Sequence, residues 1–567
     1  MKRNYKRVDS LLPIILWGLP LAFLLFFYFQ PLFANFKVAW QAATLSNFLD
    51  NNWKIIARPL GFTFWQAFLS TLLTIVVGLP AAFLMAKFRF FGKSIVRMLI
   101  TIPFIMPTVV VAAGFNALLG PRGWFNLLLQ SAFGLDQPPI KFLNTLGAIL
   151  LAHVFYNSTV FIRVLSVAWA KLDPEIESAA RTLGASPFQV FTKITLPLLK
   201  PAFLSALLLV FLFNFTSFAV ILLLGGPRFS TIEVEIYIQA LHMLNLPLAG
   251  SLAAIQLFFT LILTIIYTRM IQTNRFGLTP RDEEEVARPV RNKKERLFLA
   301  GMLTCMLLLF VLPLISLVFR SFLSTGSVQP GEGIDTPTFT LAYYQELFIN
   351  QRGSLFYVPP GEAILNSLYF GLITVGIALS LGYLAAKAIS SGRGLGKLLD
   401  PILMLPIGTS AVTLGLGFIL VFNKPPIDAR SFPFLVPIAH SLVAMPFVVR
   451  ILQPMISAIP PQLKQAAQVL GASPWKTFWQ VEFPILFKGS VSAALFAFTI
   501  SLGEFGATTF ISRPETPTIP IAIYRFLSQP GSLNYGQAMA MSTILMAICA
   551  LAIILIDRLD LPKINEF

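Results

Sequence analysis

Long runs of apolar residues alternate with short polar segments along almost the whole chain. Each run holds about 20 residues, the length that a helix needs to cross about 30 Å of hydrocarbon. Strands of a membrane barrel would be shorter and would alternate apolar with polar residues. The pattern therefore predicts an all-α polytopic membrane protein with about twelve transmembrane helices, near residues 12–34, 63–86, 98–119, 144–166, 202–223, 248–270, 297–320, 363–386, 399–422, 434–457, 489–511 and 537–556.

Composition and charge agree with a membrane protein. Of the 567 residues, 56% are hydrophobic and only 12% are charged, while the formal net charge is +17. Lysine and arginine are concentrated in alternate loops, and basic loops stay on the cytoplasmic side of a membrane. Both termini are therefore predicted to be cytoplasmic. Basic loops beside anionic lipid headgroups explain the net charge, so membrane lipid is the expected partner and nucleic acid is not.

The second part of the chain repeats the first at a constant offset. Over about 85 residues, identical residues recur 287 positions later without a gap: His153 and His440, Arg163 and Arg450, Pro197 and Pro484, Phe218 and Phe505, and Tyr237 and Tyr524. Six spans in each half, an even number, give both repeats one orientation around an axis along the membrane normal. We predict two parallel six-helix halves, residues 1–270 and 297–567, joined by a polar cytoplasmic linker at 271–296.

The clearest repeated motif lies in a polar loop of each half. It consists of two alanines, three residues, a glycine, nine residues, and then an aliphatic residue, a spacer, an apolar residue and a proline. Asp173-Pro174 predicts the start of a short surface helix, since Asp caps helices and Pro suits their first position. The small alanines would let another protein approach closely. The following Gly-Ala-Ser-Pro segment ends the helix and turns the chain.

This arrangement resembles the EAA loop of the permeases of binding-protein-dependent ABC importers, which docks into a cleft on an ATPase subunit. The resemblance covers nearly the whole chain, as two fused six-span permease halves. The docking-loop residues that it implies are Ser178, Ala179, Ala180, Gly184, Pro197, Gln465, Ala466, Ala467, Gly471 and Pro484. The family pattern begins with an acidic residue, which is Ser178 in one copy and Gln465 in the other. Glu177 stands one place earlier in the first copy only.

The resemblance implies a multi-pass permease of the bacterial inner (plasma) membrane. Its partners would be two ATP-binding cassette subunits on the cytoplasmic side and an extracytoplasmic substrate-binding protein. Gly92-Lys93-Ser94 matches the end of a nucleotide-binding loop, but Lys87 stands where that pattern requires glycine. We therefore expect a transport subunit that is not an enzyme, with ATP hydrolysed by separate partners. We expect neither a cofactor nor a metal site.

One acidic residue falls inside a predicted span. Glu504 lies in the eleventh span, and its counterpart in the first half is Ser217. Intramembrane carboxylates are candidates for function. Glu504 and Ser217 could line the pathway, where the carboxylate would attract a cation, or Glu504 could form a hydrogen bond between helices. His153 and His440 are expected to be packed and hydrogen-bonded.

The substrate is suggested only by local similarity. The stretches Phe62–Ser70, Leu150–Asn157 and Thr231–Tyr237 are similar to those of fused thiamine permeases. Fused ferric-iron permeases share the same organisation and remain an alternative. An ion-coupled secondary transporter is a rival from another class, but it would predict buried ion sites and no doubled docking loop.

The charge pattern makes a topology prediction. Residue 285, in the basic linker, should be cytoplasmic, and residue 340, in the loop after the seventh span, should be outside. A cysteine introduced at position 340 should react with a membrane-impermeant reagent added outside. Reaction only from the cytoplasmic side would contradict the arrangement of twelve spans.

Overall fold

The computed structural model describes residues 16–43, 48–226, 228–273, 287–324, 338–349, 360–391, 396–424, 427–428 and 432–558. Half of the predicted linker, residues 274–286, lies outside them, as do the first residues of the first span and residue 285. Helices of the first half are α1 Leu16–Gln41, α2 Phe48–Lys87, α3 Lys93–Ile105, α4 Thr108–Leu119, α5 Trp124–Phe133, α6 Leu146–Ala170, α7 Pro174–Thr182, α8 Pro187–Phe215, α9 Ala219–Leu224, α10 Ile232–Tyr237 and α11 Leu246–Thr273.

The second half follows the same order. Its helices are α12 Lys293–Ser321, α13 Ala342–Glu346, α14 Pro360–Ser390, α15 Gly396–Met404, α16 Ala411–Val421, α17 Leu435–Ala458, α18 Pro461–Val469, α19 Pro474–Gly503, α20 Gly506–Ile511, α21 Ile519–Leu527 and α22 Ser532–Arg558. The described residues also form six two-residue strands: β1 Phe88–Arg89, β2 Arg288–Pro289, β3 Leu323–Ser324, β4 Thr338–Phe339, β5 Asn423–Lys424 and β6 Ile427–Asp428. Strands β1 and β2 pair in parallel, and β5 and β6 pair antiparallel.

The described residues contain ten helices that are long and apolar enough to cross a membrane, and two bent helix pairs. The predicted all-α fold of about twelve spans is thus confirmed, but the spans 98–119 and 399–422 are not straight. The first bends by 109° between α3 and α4, and the second by 99° before α16. Proline explains the first bend, because it removes a backbone donor and forces the preceding residue out of the helical conformation. Pro107 stands at this bend, after Met106 in the extended conformation. At the second bend a short helical turn, Leu405–Gly408, ends at the extended residues Thr409 and Ser410 before α16 begins.

Two further predicted spans are interrupted. The expected helix 202–223 ends at Phe215 and resumes at Ala219, and the expected helix 489–511 ends at Gly503 and resumes at Gly506. Ser217 and Glu504 therefore lie in helix breaks and not within continuous spans, which corrects the placement predicted for Glu504. A break leaves backbone N–H and C=O groups without helical partners, so polar side chains are needed there.

The described residues form two compact units that interleave in sequence. One draws on Met1–Asp50, Ile236–Leu257 and Ser324–Phe567. Within this unit α1, from the first half, packs against α16, from the second. The Asn35 amide donates to the carbonyl of Thr413 at 2.8 Å. Gly417 permits the close approach, because a Cβ built there would lie 2.6 Å from the carbonyl oxygen of Pro31.

The other unit comprises Asn51–Glu235 and Phe258–Leu323. Here α12, the first helix of the second half, packs against α4 of the first half. Gly114 faces the backbone of Pro313, whose carbonyl oxygen would lie 3.1 Å from a Cβ at that glycine. The first helix of each half thus packs against a bent helix of the other half. In both contacts a proline of the first helix faces a glycine of the bent helix.

Candidate functional site

The first docking loop is built by a capped helix and a glycine turn. The Asp173 carboxylate accepts from the backbone N–H of Glu175 at 3.0 Å and caps α7, as its sequence predicts. Beyond α7, Gly184 adopts a left-handed conformation with φ +85°. The N–H groups of Gly184 and Ala185 donate back to the carbonyls of Arg181 and Ala180, both at 3.0 Å. These bonds satisfy the last carbonyls of α7 and require a residue that tolerates positive φ.

The second loop has the same backbone. Gly471 follows α18 with φ +79°, and its N–H donates to the carbonyl of Gln468 at 3.0 Å. The N–H of Ala472 donates to the carbonyl of Ala467 at 2.9 Å. Pro460 stands where Asp173 stands in the first copy, so α18 begins without a side-chain cap. The motif repeated in sequence therefore specifies one conformation twice.

Both loops present the predicted residues at the surface. Eight of them are exposed, and Ala180 and Ala467 are half-buried: the exposed ones are Ser178, Ala179, Gly184, Pro197, Gln465, Ala466, Gly471 and Pro484. A Cβ at Gly184 or Gly471 would meet no atom within 4 Å. Replacement of either glycine is thus restricted by the left-handed backbone and not by lack of space within the chain.

Sequence reasoning missed four exposed apolar residues that flank the glycines. Leu183 and Phe188 are 88% and 75% exposed in the first loop, and their counterparts Leu470 and Trp475 are 86% and 69% exposed in the second. Their recurrence at the same offset in otherwise polar loops is the signal that could have found them. Large apolar side chains exposed at equivalent places are typical of a surface that contacts a partner.

An ion pair fixes the first docking helix to the membrane helices of its own half. The Glu177 carboxylate on α7 lies 2.8 Å from the Lys87 Nζ at the end of α2, and it accepts from the Thr195 hydroxyl at 2.9 Å. Lys87 and Glu177 are both largely buried. Glu177, the acid one place before the start of the family motif, therefore points inward, away from the docking surface.

In the second half the residue on the docking helix has the opposite charge. Lys464 on α18, the counterpart of Glu177, lies 3.1 Å from Glu482, which is the counterpart of Thr195. Glu482 also lies 3.0 Å from Lys387 of α14 and accepts from the Tyr383 hydroxyl at 3.1 Å. We call these two networks the latches. Each joins a docking helix to α2 or α14, with the carboxylate on the docking helix in one case and on α19 in the other.

Glu504 lies in a fully hydrogen-bonded cluster at the break between α19 and α20. Its two carboxylate oxygens accept from the backbone N–H groups of Ala507 at 2.8 Å and Thr508 at 3.0 Å. His440 Nε2 lies 3.3 Å from Glu504 Oε2, and His440 Nδ1 lies 2.7 Å from the Ser501 hydroxyl. Glu504 thus supplies the first turn of α20 with acceptors and is only 8% exposed.

The equivalent break in the first half contains no acid. His153 Nε2 lies 2.8 Å from the Ser217 hydroxyl, and Nδ1 lies 2.9 Å from the Ser70 hydroxyl. The structure therefore brings Ser217 and Glu504 to equivalent places beside equivalent histidines. Both histidines are buried and hydrogen-bonded, as expected.

Comparison with known proteins gives consistent matches over both halves. Residues 78–275 and 378–563 match the family described as "Binding-protein-dependent transport system inner membrane component". The thiamine transport system permease protein ThiP of Escherichia coli K12 is 26% identical over 522 residues, covering 92% of this chain and 91% of the relative. ThiP of Brucella suis is 27% identical over 532 residues, covering 92% and 90%. A probable ABC transporter permease of Sinorhizobium fredii is 25% identical over 524 residues, covering 90% and 89%.

The latches make a prediction about the docking helices. Replacing Lys87 by Met leaves the largely buried Glu177 carboxylate without its counter-charge, so α7 should detach more readily from α2. We expect amide hydrogen exchange in α7 to rise about tenfold, which corresponds to about 1.4 kcal/mol of local stability. The double variant K87E/E177K restores a pair of opposite charges. It should recover most of the protection of the α7 amides against hydrogen exchange.

Glu175→Gln is the matched control, because Glu175 is an exposed acid on the same helix. It should leave exchange in α7 unchanged. If Lys87→Met also left it unchanged, the ion pair would not be what holds the helix.

Proposed function

Because this chain belongs to the family of inner-membrane components of binding-protein-dependent transport systems, we propose that it forms both halves of an importer's pathway on one polypeptide. In this proposal two ATP-binding cassette subunits bind it, one at each docking loop, and hydrolyse the ATP. The family assignment makes the chain an ABC-type permease and sets aside the ion-coupled secondary transporter.

The doubled docking loop carries this proposal. Each copy combines a glycine-terminated helix, two small alanines and two exposed apolar residues on one surface. The latches extend from these surfaces to α2 and α14, so movement of an ATPase subunit would be passed to long membrane helices. Two equivalent surfaces on one chain support binding of two equivalent partners.

The proposed orientation follows from the charge of the loops. Both docking loops and both termini would be cytoplasmic, since lysine and arginine are enriched on that side. The segments 35–62, 225–247, 321–362 and 512–536 would then face outward, toward the substrate-binding protein.

We propose thiamine as the substrate. The support is that relatives from Escherichia coli and Brucella suis, aligned over nine-tenths of the chain, carry the name of thiamine permeases. This favours thiamine over ferric iron, the alternative left open by the sequence. Uptake of radiolabelled thiamine by vesicles that contain the chain and its partner subunits tests this directly. Uptake of ferric iron but not of thiamine would overturn it.

The docking loops give a prediction for the ATPase partner. The double variant Gly184→Arg, Gly471→Arg should lose bound ATPase while remaining in the membrane. A non-glycine residue is disfavoured at φ near +80°, and each Arg side chain would project into the surface that the partner needs. Either single variant should keep about half of the ATPase, as measured by co-purification.

Gly92→Arg is the control for backbone strain. Gly92 has φ +80° and open space around it, but it lies outside both docking loops. This variant should co-purify with normal amounts of ATPase. Normal amounts with the double docking-loop variant would contradict the proposal.

For Glu504 the geometry favours a structural role over a pathway role. In Glu504→Gln one oxygen becomes an NH₂ group that cannot accept from the first N–H groups of α20. We expect a lower thermal stability of the purified chain, with thiamine uptake per molecule within about twofold of the wild type. Glu504→Ser, which copies Ser217, should behave alike. Normal stability with a tenfold loss of uptake would assign Glu504 to the pathway instead.

A further inference from the structure

Two tyrosines that are repeat counterparts contact each other. Tyr237 ends α10 and Tyr524 lies in α21, 287 positions later. Their hydroxyl oxygens are 3.2 Å apart, within hydrogen-bonding distance. Both residues lie in the same compact unit.

Contact between counterparts fixes the location of this pair. When two repeats are related by a rotation of about 180°, equivalent side chains lie at equal distances on opposite sides of the axis. They can touch only if both lie next to that axis. Because the repeats share one orientation in the membrane, the axis runs along the membrane normal. The hydroxyl pair therefore marks the axis around which the two halves are arranged.

Aromatic rings surround the pair. The Tyr237 ring packs edge-on against Phe510, with centroids 6.2 Å apart, and against His242 at 5.0 Å. The Tyr524 ring packs against Phe505 at 5.5 Å. Phe505 follows Glu504 in the break before α20. Tyr237 is buried, and burial together with the Tyr524 hydroxyl raises its pKa, so the phenol stays protonated at physiological pH.

We propose that Tyr237 and Tyr524 form the outer gate of the substrate pathway, one tyrosine from each half. This rests on the proposed function, in which the pathway follows the axis and the segments 225–247 and 512–536 face outward. The gate is closed in this structure, because the hydroxyls meet and aromatic rings pack behind them. Opening the pathway to the outside must separate the two hydroxyls. A neutral hydrogen bond is weak enough for such a reversible separation.

Chemical cross-linking tests the gate after the protein has folded. The variant Tyr237→Cys, Tyr524→Cys, with Cys305 and Cys549 replaced by Ser, is reconstituted with its partner subunits. A flexible reagent carrying two methanethiosulfonate groups then joins the two cysteines. We expect thiamine uptake to fall at least tenfold and to return when a reductant releases the link. Unchanged uptake by the linked protein would overturn the gate.

Controls separate failure of the gate from failure of the proposed function. Each single-cysteine variant should keep its uptake after treatment with the reagent. A link between cysteines at Asn35 and Thr413, which join α1 to α16 in the same unit, should also leave uptake intact. Absence of thiamine uptake before the reagent is added, in the wild type as well, would contradict the proposed substrate and not the gate.

A milder variant tests the gate if the double-cysteine variant does not assemble with its partner subunits. Tyr237→Phe, Tyr524→Phe keeps both rings and removes only the hydrogen bond. The closed gate is then less favoured, and we expect ATP hydrolysis without the binding protein to rise severalfold. An unchanged basal rate in a fully assembled complex would contradict a gate held by this bond.

Discussion

Lipid supplies no hydrogen-bond partner to a peptide group, and the rest of this structure depends on that constraint. It forces the apolar runs to be helices, and it makes every interruption of a helix costly unless polar groups are brought to it. The interruptions after Phe215 and Gly503 are each accompanied by a buried histidine. In the second half Glu504 adds acceptors for the first N–H groups of the next short helix. The polar side chains inside the apolar helices are thus explained first by the backbone they serve.

The two halves have the same backbone conformation at equivalent places but use different side chains for some equivalent contacts. Both docking loops end in the same glycine turn, because only that turn satisfies the last carbonyls and redirects the chain. In the latches the two docking helices carry opposite charges, with Glu177 on one and Lys464 on the other. The long helix contributes a lysine in both halves, Lys87 of α2 and Lys387 of α14, while the carboxylate lies on the docking helix in the first half and on α19 in the second. The repeat therefore preserves the backbone conformation more closely than the residue types.

Much of the fold could be predicted from the sequence, since the apolar runs and the repeat are strong, local signals. The helix and glycine turn of each repeated loop could also be predicted, because the capping and glycine residues act within a few positions. The breaks at Ser217 and Glu504 could not be predicted, since apolar residues continue on both sides and periodicity does not register an interruption of two or three residues. The exchange of α1 and α12 between halves could not be predicted, since helix partners depend on contacts hundreds of residues apart. The inward direction of Glu177 required the position of Lys87, which is equally distant in sequence.

The central claim is that one chain provides two equivalent binding sites, each for one ATPase subunit. The mass of the intact complex, released from detergent micelles and measured by native mass spectrometry, tests this most directly. The account predicts one copy of this chain with two ATPase subunits as the largest stable assembly, and one copy with one subunit when ATPase is limiting. A complex saturated at one ATPase subunit per chain would contradict it.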